Sequence, residues 1–255
     1  MIRFPPLVEA RLLRRDNRFR ATARLTSGQE AAVHVPNSGR LSEVFGRPGR
    51  RAWLAPAAAP HRKTPYDLVL VEGEGGVLIS VDARLPNRLF AASLQNGWFD
   101  DWLGLPAAAW RVQPEPRVGA GRLDFLLQAG QSRWWVETKS VTLVVDGVAR
   151  FPDAPTARGR RHLAELCQRV QAGEGAAVVF IAQRGDPVAF APYGDGDPQF
   201  PDALRAAARC GVRVLAYRCV VSPRGIALAA ALPVRGLEGK DLASGNPGKG
   251  ENGTR

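Results

Sequence analysis

Residues 176–182, Ala-Ala-Val-Val-Phe-Ile-Ala, contain no polar side chain. Successive residues of a strand face opposite sides of a sheet, so this run has no polar face to turn to water. It belongs at the centre of a sheet. Around it the pattern alternates. Asn87 can cap a helix running to about Gln95 with Gly97 as its stop, and a short apolar element follows at 98–103. Strands are expected near 111–115, 121–128 and 133–143. Thr156 is read as the cap of a helix to about Gln171, with Leu163, Leu166, Cys167 and Val170 on one face. A helix over 201–209 stops at Gly211, and a further strand spans 212–217. Helices alternating with strands after a β-meander make an α/β domain with a mixed sheet.

The first eighty residues read differently. Short alternating runs at 7–12, 19–25, 31–35, 52–54 and 68–71 are separated by turn formers such as Asp16-Asn17, Ser27-Gly28, Pro36-Asn37-Ser38-Gly39 and Arg47-Pro48-Gly49. Five short strands in so little chain predict a small β-barrel of the OB type. Barrels of that type often bind single strands through a basic face and exposed aromatics. The expected organisation is therefore α+β and α/β: an OB-like β-barrel over 1–80, a mixed-sheet α/β domain over 81–235, and a flexible tail over 236–255 rich in Gly, Asn, Ser and Lys.

Chemistry concentrates at Asp124 and at Glu137-Thr138-Lys139. On a strand Glu137 and Lys139 share a face. A hairpin through Ala129-Gly130-Gln131-Ser132 would bring Asp124 beside them, giving two carboxylates and an ammonium suited to divalent-metal hydrolysis. Spacing alone does not carry this, because Glu238-Gly239-Lys240 repeats it in the tail. The β-rich context does. Lysine is also scarce: of 35 basic residues only Lys63, Lys139, Lys240 and Lys249 are lysines. A strand lysine in an arginine-using chain points to a need for a compact charge with an adjustable pKa.

Net charge is +11, and residues 1–80 hold 13 basic against 7 acidic residues. Such a balance suits a polyanion, which makes nucleic acid the leading partner. Two other segments are ambiguous. Pro36-Asn37-Ser38-Gly39-Arg40 combines turn formers with an arginine, and reads as a functional loop or as a tight turn. On the 157–171 helix, Arg158, His162 and Glu165 form a polar stripe that either lends a group to a phosphate or lines a solvated edge. Cys167, Cys210 and Cys219 are odd in number and lack ligand spacing, which reads as small core residues and argues against disulfides and zinc. With no secretory signal and no membrane-length apolar run, a cytoplasmic protein without membrane contact is expected.

These motifs together resemble the sugar fermentation stimulation protein A family through nearly the whole chain. The resemblance rests on Phe4-Pro5, Leu7-Val8-Glu9 and Arg11-Leu12, on Pro36-Asn37-Ser38-Gly39, on Leu85-Pro86-Asn87-Arg88-Leu89, and on Arg122-Leu123-Asp124-Phe125-Leu126-Leu127. It continues through Val136-Glu137-Thr138-Lys139-Ser140-Val141-Thr142-Leu143, Phe151-Pro152-Asp153-Ala154, Arg158-Gly159, His162-Leu163, Glu165-Leu166 and Leu215-Ala216-Tyr217-Arg218. Ser38 stands where the family usually has Thr, Asp67-Leu68 replaces a Thr-Trp pair, and Pro155 takes an aliphatic position.

The resemblance implies an OB-like N-terminal domain, a domain similar to the PD-(D/E)xK nucleases, and largely sequence-independent DNA binding with a regulatory role in maltose or other sugar metabolism. It implies that Asp124, Glu137 and an upstream Glu115 hold Mg2+, with the Thr138 carbonyl as a further ligand. Lys139 would orient or deprotonate the attacking water. Asn37, Ser38, Arg40, Arg88, Arg122, Arg158 and His162 are the residues expected to meet nucleic acid. Three functional readings stay open at this point: a DNA-binding regulator that keeps a nuclease-like site, an active Mg2+-dependent DNA phosphodiesterase, and a protein-interaction or effector-sensing module.

Overall fold

The structure, a computed structural model, describes residues 1–57, 62–119 and 121–237; most of the expected tail, residues 238–255, lies outside them. After β1 (Ile2–Arg3) come β2 (Val8–Asn17), β3 (Arg20–Leu25), β4 (Glu30–His34), β5 (Arg51–Pro56) and β6 (Tyr66–Glu72). Antiparallel pairing in the order β4-β3-β2-β5-β6 is closed into a five-stranded barrel by a short parallel pairing of β4 with β6. The five runs expected as strands are these five. Alternation supplies the barrel core: Ala10 and Leu12 of β2, Ala21 and Ala23 of β3, Val33 of β4, Leu54 of β5 and Leu68 of β6 all point inward. Register shifts in β2 beyond Leu12 bend the strand as closure requires. Helix α1 (Ser42–Phe45) lies between β4 and β5, and β7 (Leu78–Ser80) adds to the far side of β6.

The rest of the chain runs α2 (Leu85–Gln95), α3 (Asp100–Leu103), β8 (Arg111–Pro114), the small pair β9 (Arg117–Val118) and β10 (Gly121–Arg122), β11 (Phe125–Ala129), β12 (Ser132–Val141), β13 (Leu143–Val145) and β14 (Val148–Phe151). It continues with α4 (Ala157–Gln171), β15 (Gly175–Ala182), β16 (Ala189–Pro192), α5 (Phe200–Cys210), β17 (Arg213–Ser222) and β18 (Gly225–Ala231). Seven strands form one mixed sheet in the order β1-β18-β17-β15-β12-β11-β8. The apolar run falls in β15, fourth of the seven, parallel to β12 on one side and β17 on the other. Val178 and Phe180 pack beneath α4 and α5; Ala177, Val179 and Ile181 pack beneath α2. Both faces of β15 are thus covered by helices, which is why it tolerates no polar residue.

Four expectations are corrected. Asn87 does not cap α2: the helix begins two residues earlier, with Pro86 in its first turn, and the Asn87 side chain is directed elsewhere. The strand expected over 121–128 breaks at Leu123-Asp124, between β10 and β11. Cys167 and Cys210 are not separate core residues but a disulfide joining α4 to α5, with Cα atoms 5.8 Å apart. Only Cys219 remains a buried free thiol, which burial pushes up to about 12. Lastly, Ile2–Arg3 lies outside the barrel and pairs with β18 at the edge of the large sheet, because Ile2 is buried in the apolar cluster beneath α2. The Thr156 cap is as expected, its Oγ1 accepting the Gly159 N–H at 3.1 Å. Among the described residues no helix is long and apolar enough to cross a membrane.

Buried polar groups join the barrel to the large sheet. Gln183 donates to the Asp82 carbonyl and the Ser140 hydroxyl at 3.1 and 2.8 Å, and accepts from Ser80 at 3.3 Å. The Arg184 guanidinium reaches Glu43 of α1 at 2.6 Å, Asp186 at 2.7 Å and the Thr142 carbonyl at 3.0 Å.

Candidate active site

β12 delivers its side chains alternately to the two helix layers. Trp135 and Val141 pack on the α4 side and Val136 on the α2 side. Glu137 and Lys139 therefore face α4, and Thr138 faces α2. Across the hairpin, Phe125 is paired with Val136, and the ladder stops there. One residue earlier, Asp124 takes the place of the missing strand: its Oδ2 accepts the Thr138 N–H at 2.8 Å. Asn87 of α2 donates to Asp124 Oδ1 at 2.9 Å. The Thr138 hydroxyl lies 2.6 Å from Asn87 Oδ1 and 2.9 Å from Asp124 Oδ2, its one proton serving one of them at a time.

On the α4 side His162 settles Glu137. Arg158 Nε donates to His162 Nε2 at 3.2 Å, so the ring proton sits on Nδ1 and is donated to Glu137 Oε1. Lys139 Nζ donates to the same oxygen at 2.5 Å. Glu137 is 3 % exposed, and its second oxygen, Oε2, is buried without any hydrogen-bond partner. Burial raises the Glu137 pKa, but the His162 hydrogen bond and the Lys139 charge together outweigh it and hold the carboxyl below its ordinary value. For Asp124 burial prevails, reinforced by the nearby Glu137 charge and only partly opposed by Thr138, Asn87 and Lys139, so its carboxyl is raised.

Both carboxylates lie on one cleft of about 810 Å³ between the barrel and the large sheet. Glu115, Asn37, Ser38, Arg88 and Arg158 also line it, and so do Arg18 and Arg84. Arg40 lies in an adjoining groove. Arg122 and Glu115 pair at 3.0 Å beside a second depression. His162 is buried with both nitrogens engaged, so it acts on Glu137 rather than on a ligand. Asn37 spends its amide locally, donating to the Val81 carbonyl at 3.0 Å and accepting the Gly39 N–H at 2.8 Å.

Sequence reasoning missed the loop's supports. Arg15 donates to the carbonyls of Gly39 and Arg18 at 2.8 and 2.7 Å, and Asp153 accepts the Leu41 N–H at 3.0 Å. A Cβ on Gly39 would come within 2.6 Å of the Asp153 carboxylate, which is why the loop needs glycine there. Asp153 was visible in the sequence only as part of a motif, and Arg15 as one arginine among many.

The donor set fits a hard divalent cation held by two carboxylates. Among the described residues no group of three or more His, Cys, Asp and Glu gathers as a metal cage. Mg2+ does not need one, since it keeps several waters and binds through one or two carboxylates plus phosphate oxygens. The orphaned Oε2 of Glu137 and the orienting hydrogen bonds on Asp124 suit that arrangement.

The raised Asp124 yields a stability prediction. A carboxyl whose folded pKa lies above its unfolded value, about 3.9, lends stability below that value and loses it as pH rises through the folded pKa. As pH rises toward neutrality, Asp124 therefore costs stability. In Asp124→Asn, a flipped Asn87 satisfies every group: the new amide accepts from Thr138 N–H and donates to Asn87, and Asn87 donates to Thr138 Oγ1. Asp124→Asn is expected to melt at a higher temperature than the parent at pH 7 and without divalent cations, with the gain disappearing near pH 3. Scanning calorimetry at both pH values checks it.

Comparison with known proteins matches the two parts of the chain separately. Residues 13–81 match the family model described as the SfsA N-terminal OB domain, and residues 84–225 match the sugar fermentation stimulation protein RE domain. A sugar fermentation stimulation protein homolog of Moorella thermoacetica is 45 % identical over 238 residues, covering 92 % of this chain and all of that one. A homolog from Chloroflexus aurantiacus is 44 % identical over 229 residues, covering 90 % of this chain and 86 % of the relative. The structure of Pyrococcus furiosus SfsA in complex with Ca2+ superimposes with a TM-score of 0.82 at 32 % identity, covering 92 % of this chain and 98 % of that chain. With an OB-like barrel and a mixed-sheet domain in this order, the chain belongs to the sugar fermentation stimulation protein family.

Proposed function

We propose that this is a DNA-binding protein, largely indifferent to base sequence, whose interdomain cleft carries a divalent-cation phosphodiesterase site. The observation that carries this reading is the Glu137 side chain. A buried carboxylate is fixed through one oxygen by His162 and Lys139, while its other oxygen is left without a partner in a cleft it shares with Asp124. An unpartnered buried carboxylate oxygen is costly unless something cationic completes it. That the Pyrococcus furiosus relative is solved with Ca2+ supports a hard cation.

Asp124 and Glu137 would hold Mg2+, with Glu115 at the rim of the same cleft. When bound, the cation supplies charge neutralisation and Lewis-acid activation at the scissile phosphate. Thr138 and Asn87 keep Asp124 oriented. Lys139, beside Glu137, stabilises charge developing on the phosphate and orients the attacking water. Arg88 and Arg158, exposed on the cleft, position the strand through its phosphates. Regulation of sugar metabolism, maltose included, would act through the same DNA contacts.

Two measurements test the reading without turnover. Ca2+ titration by calorimetry is expected to show binding, and free cation at about 100 times Kd raises stability by about 2.7 kcal/mol. For a chain of this size that is roughly 5–11 °C in melting temperature. Asp124→Ala removes both signals; an unchanged shift in that variant would place the cation elsewhere. DNA affinity should fall steeply between low and physiological salt, and Arg88→Ala or Arg158→Ala should each lower the slope of log K against log salt by about 1. Salt-insensitive binding, or none, contradicts a DNA role.

A further inference from the structure

Most arginines of the barrel region are engaged. Arg14, Arg20, Arg24, Arg47, Arg51 and Arg62 each pair with a carboxylate, and Arg11, Arg15 and Arg50 donate to backbone carbonyls. Arg18 and Arg40, both exposed, have no acidic partner among the described residues, and these two line the groove at the β2–β3 hairpin. That groove shares Arg18, Ser38 and Gly39 with the acidic cleft, so the two run together as one track from the hairpin to Glu137. Phe19 stands at the hairpin tip, 51 % exposed, next to Arg18. The tip is fixed: Phe19 N–H donates to Asn17 Oδ1 at 2.9 Å, its carbonyl accepts from Val35, and Arg15 ties the Arg18 carbonyl to the Ser38-Gly39 loop. An exposed aromatic held rigidly beside unneutralised arginines has the makings of a base-stacking platform.

Size decides between strand and duplex. At about 810 Å³ the cleft lies within the range of small-molecule pockets, about 300–1,000 Å³, and Glu137, which lines it, is buried. A duplex, whose major groove alone is about 12 Å wide, would rest on the rim with its phosphates away from that carboxylate. An unpaired strand is thin enough to enter.

Building on the DNA reading above, we infer that the cleft takes single-stranded DNA, led in over the β2–β3 hairpin with a base stacked on Phe19 and phosphates met by Arg18 and Arg40. The inference is tested with the full chain in Ca2+ by fluorescence anisotropy, using labelled oligo-dT and a duplex of equal length, about 20 nucleotides, which exceeds one OB-fold site. The parent protein should bind oligo-dT more tightly. Phe19→Ala should weaken oligo-dT binding by about 5- to 150-fold, the worth of one stacked base, and leave duplex binding unchanged. Phe19→Trp, which keeps a stacking face, should retain oligo-dT affinity. Duplex binding as tight as oligo-dT, or a Phe19→Ala effect that is absent or equal on both, overturns the inference. If duplex is bound with steep salt dependence and cut with divalent metal, the proposed function stands while this inference falls. If neither DNA form binds, both fall.

Discussion

Calcium titration of His162→Ala is expected to show roughly 10- to 100-fold weaker binding than the parent, the usual cost of losing a group that orients a metal ligand. The reason lies in the balance at Glu137. Burial favours its protonated form, and the His162 hydrogen bond is the foremost of the effects that hold it ionised. Without the ring, the carboxyl rises and loses the donor that fixes Oε1, so cation affinity falls and falls further as the solution is acidified. His162→Asn can place an amide N–H close to the Nδ1 position and should recover part of the affinity. A role for His162 in packing alone predicts that Ala and Asn behave alike in the titration.

A comparably large effect is expected on stability at the junction of barrel and sheet. The Arg184 side chain is only 4 % exposed and meets Glu43, Asp186 and the Thr142 carbonyl at once. Arg184→Ala strands two carboxylates and a carbonyl. Breaking a buried pair by removing one partner costs about 3–5 kcal/mol. Glu43 and Asp186 keep some contact with water, which favours the lower figure. About 3 kcal/mol corresponds to a fall of roughly 6–12 °C in melting temperature. Adding Glu43→Gln to Arg184→Ala should restore part of the loss, because the stranded charge is then gone. Simple additivity of the two changes would remove the charge argument.

Much of this architecture is legible in the sequence, for local reasons. Residues 176–182 announce a central strand because both faces are apolar, and β15 is that strand. The barrel is visible because each of its strands alternates and each turn is marked. Glu137 and Lys139 are readable as neighbours because two-residue spacing on a strand fixes them on one face, and Asp124 is brought in by a hairpin with a clear turn.

What stayed hidden depends on contacts distant in sequence, or on one side chain having two uses. Asn87 reads as a helix cap because the amide that caps a helix is the same amide that here holds Asp124. His162 and Glu165 read as part of a polar stripe on α4, open to a phosphate or to solvent, yet both are buried, His162 against Glu137 of β12 and Glu165 against Gly121 of β10. Cys167 and Cys210 are 43 residues apart and meet only because α4 and α5 pack side by side. Asp67, which with Leu68 replaces the Thr-Trp pair usual in the family, accepts hydrogen bonds from His34 and Arg62, both at 2.8 Å.

The central claim is that Asp124 and Glu137 form a cation site that works on DNA. Its most direct test is to incubate the parent protein and Asp124→Ala with plasmid and with single-stranded DNA, in Mg2+, in Mn2+ and in chelator. The account predicts cleavage that requires divalent metal and is lost in Asp124→Ala while DNA binding persists. Equal binding by both proteins with no cleavage in either metal would contradict it.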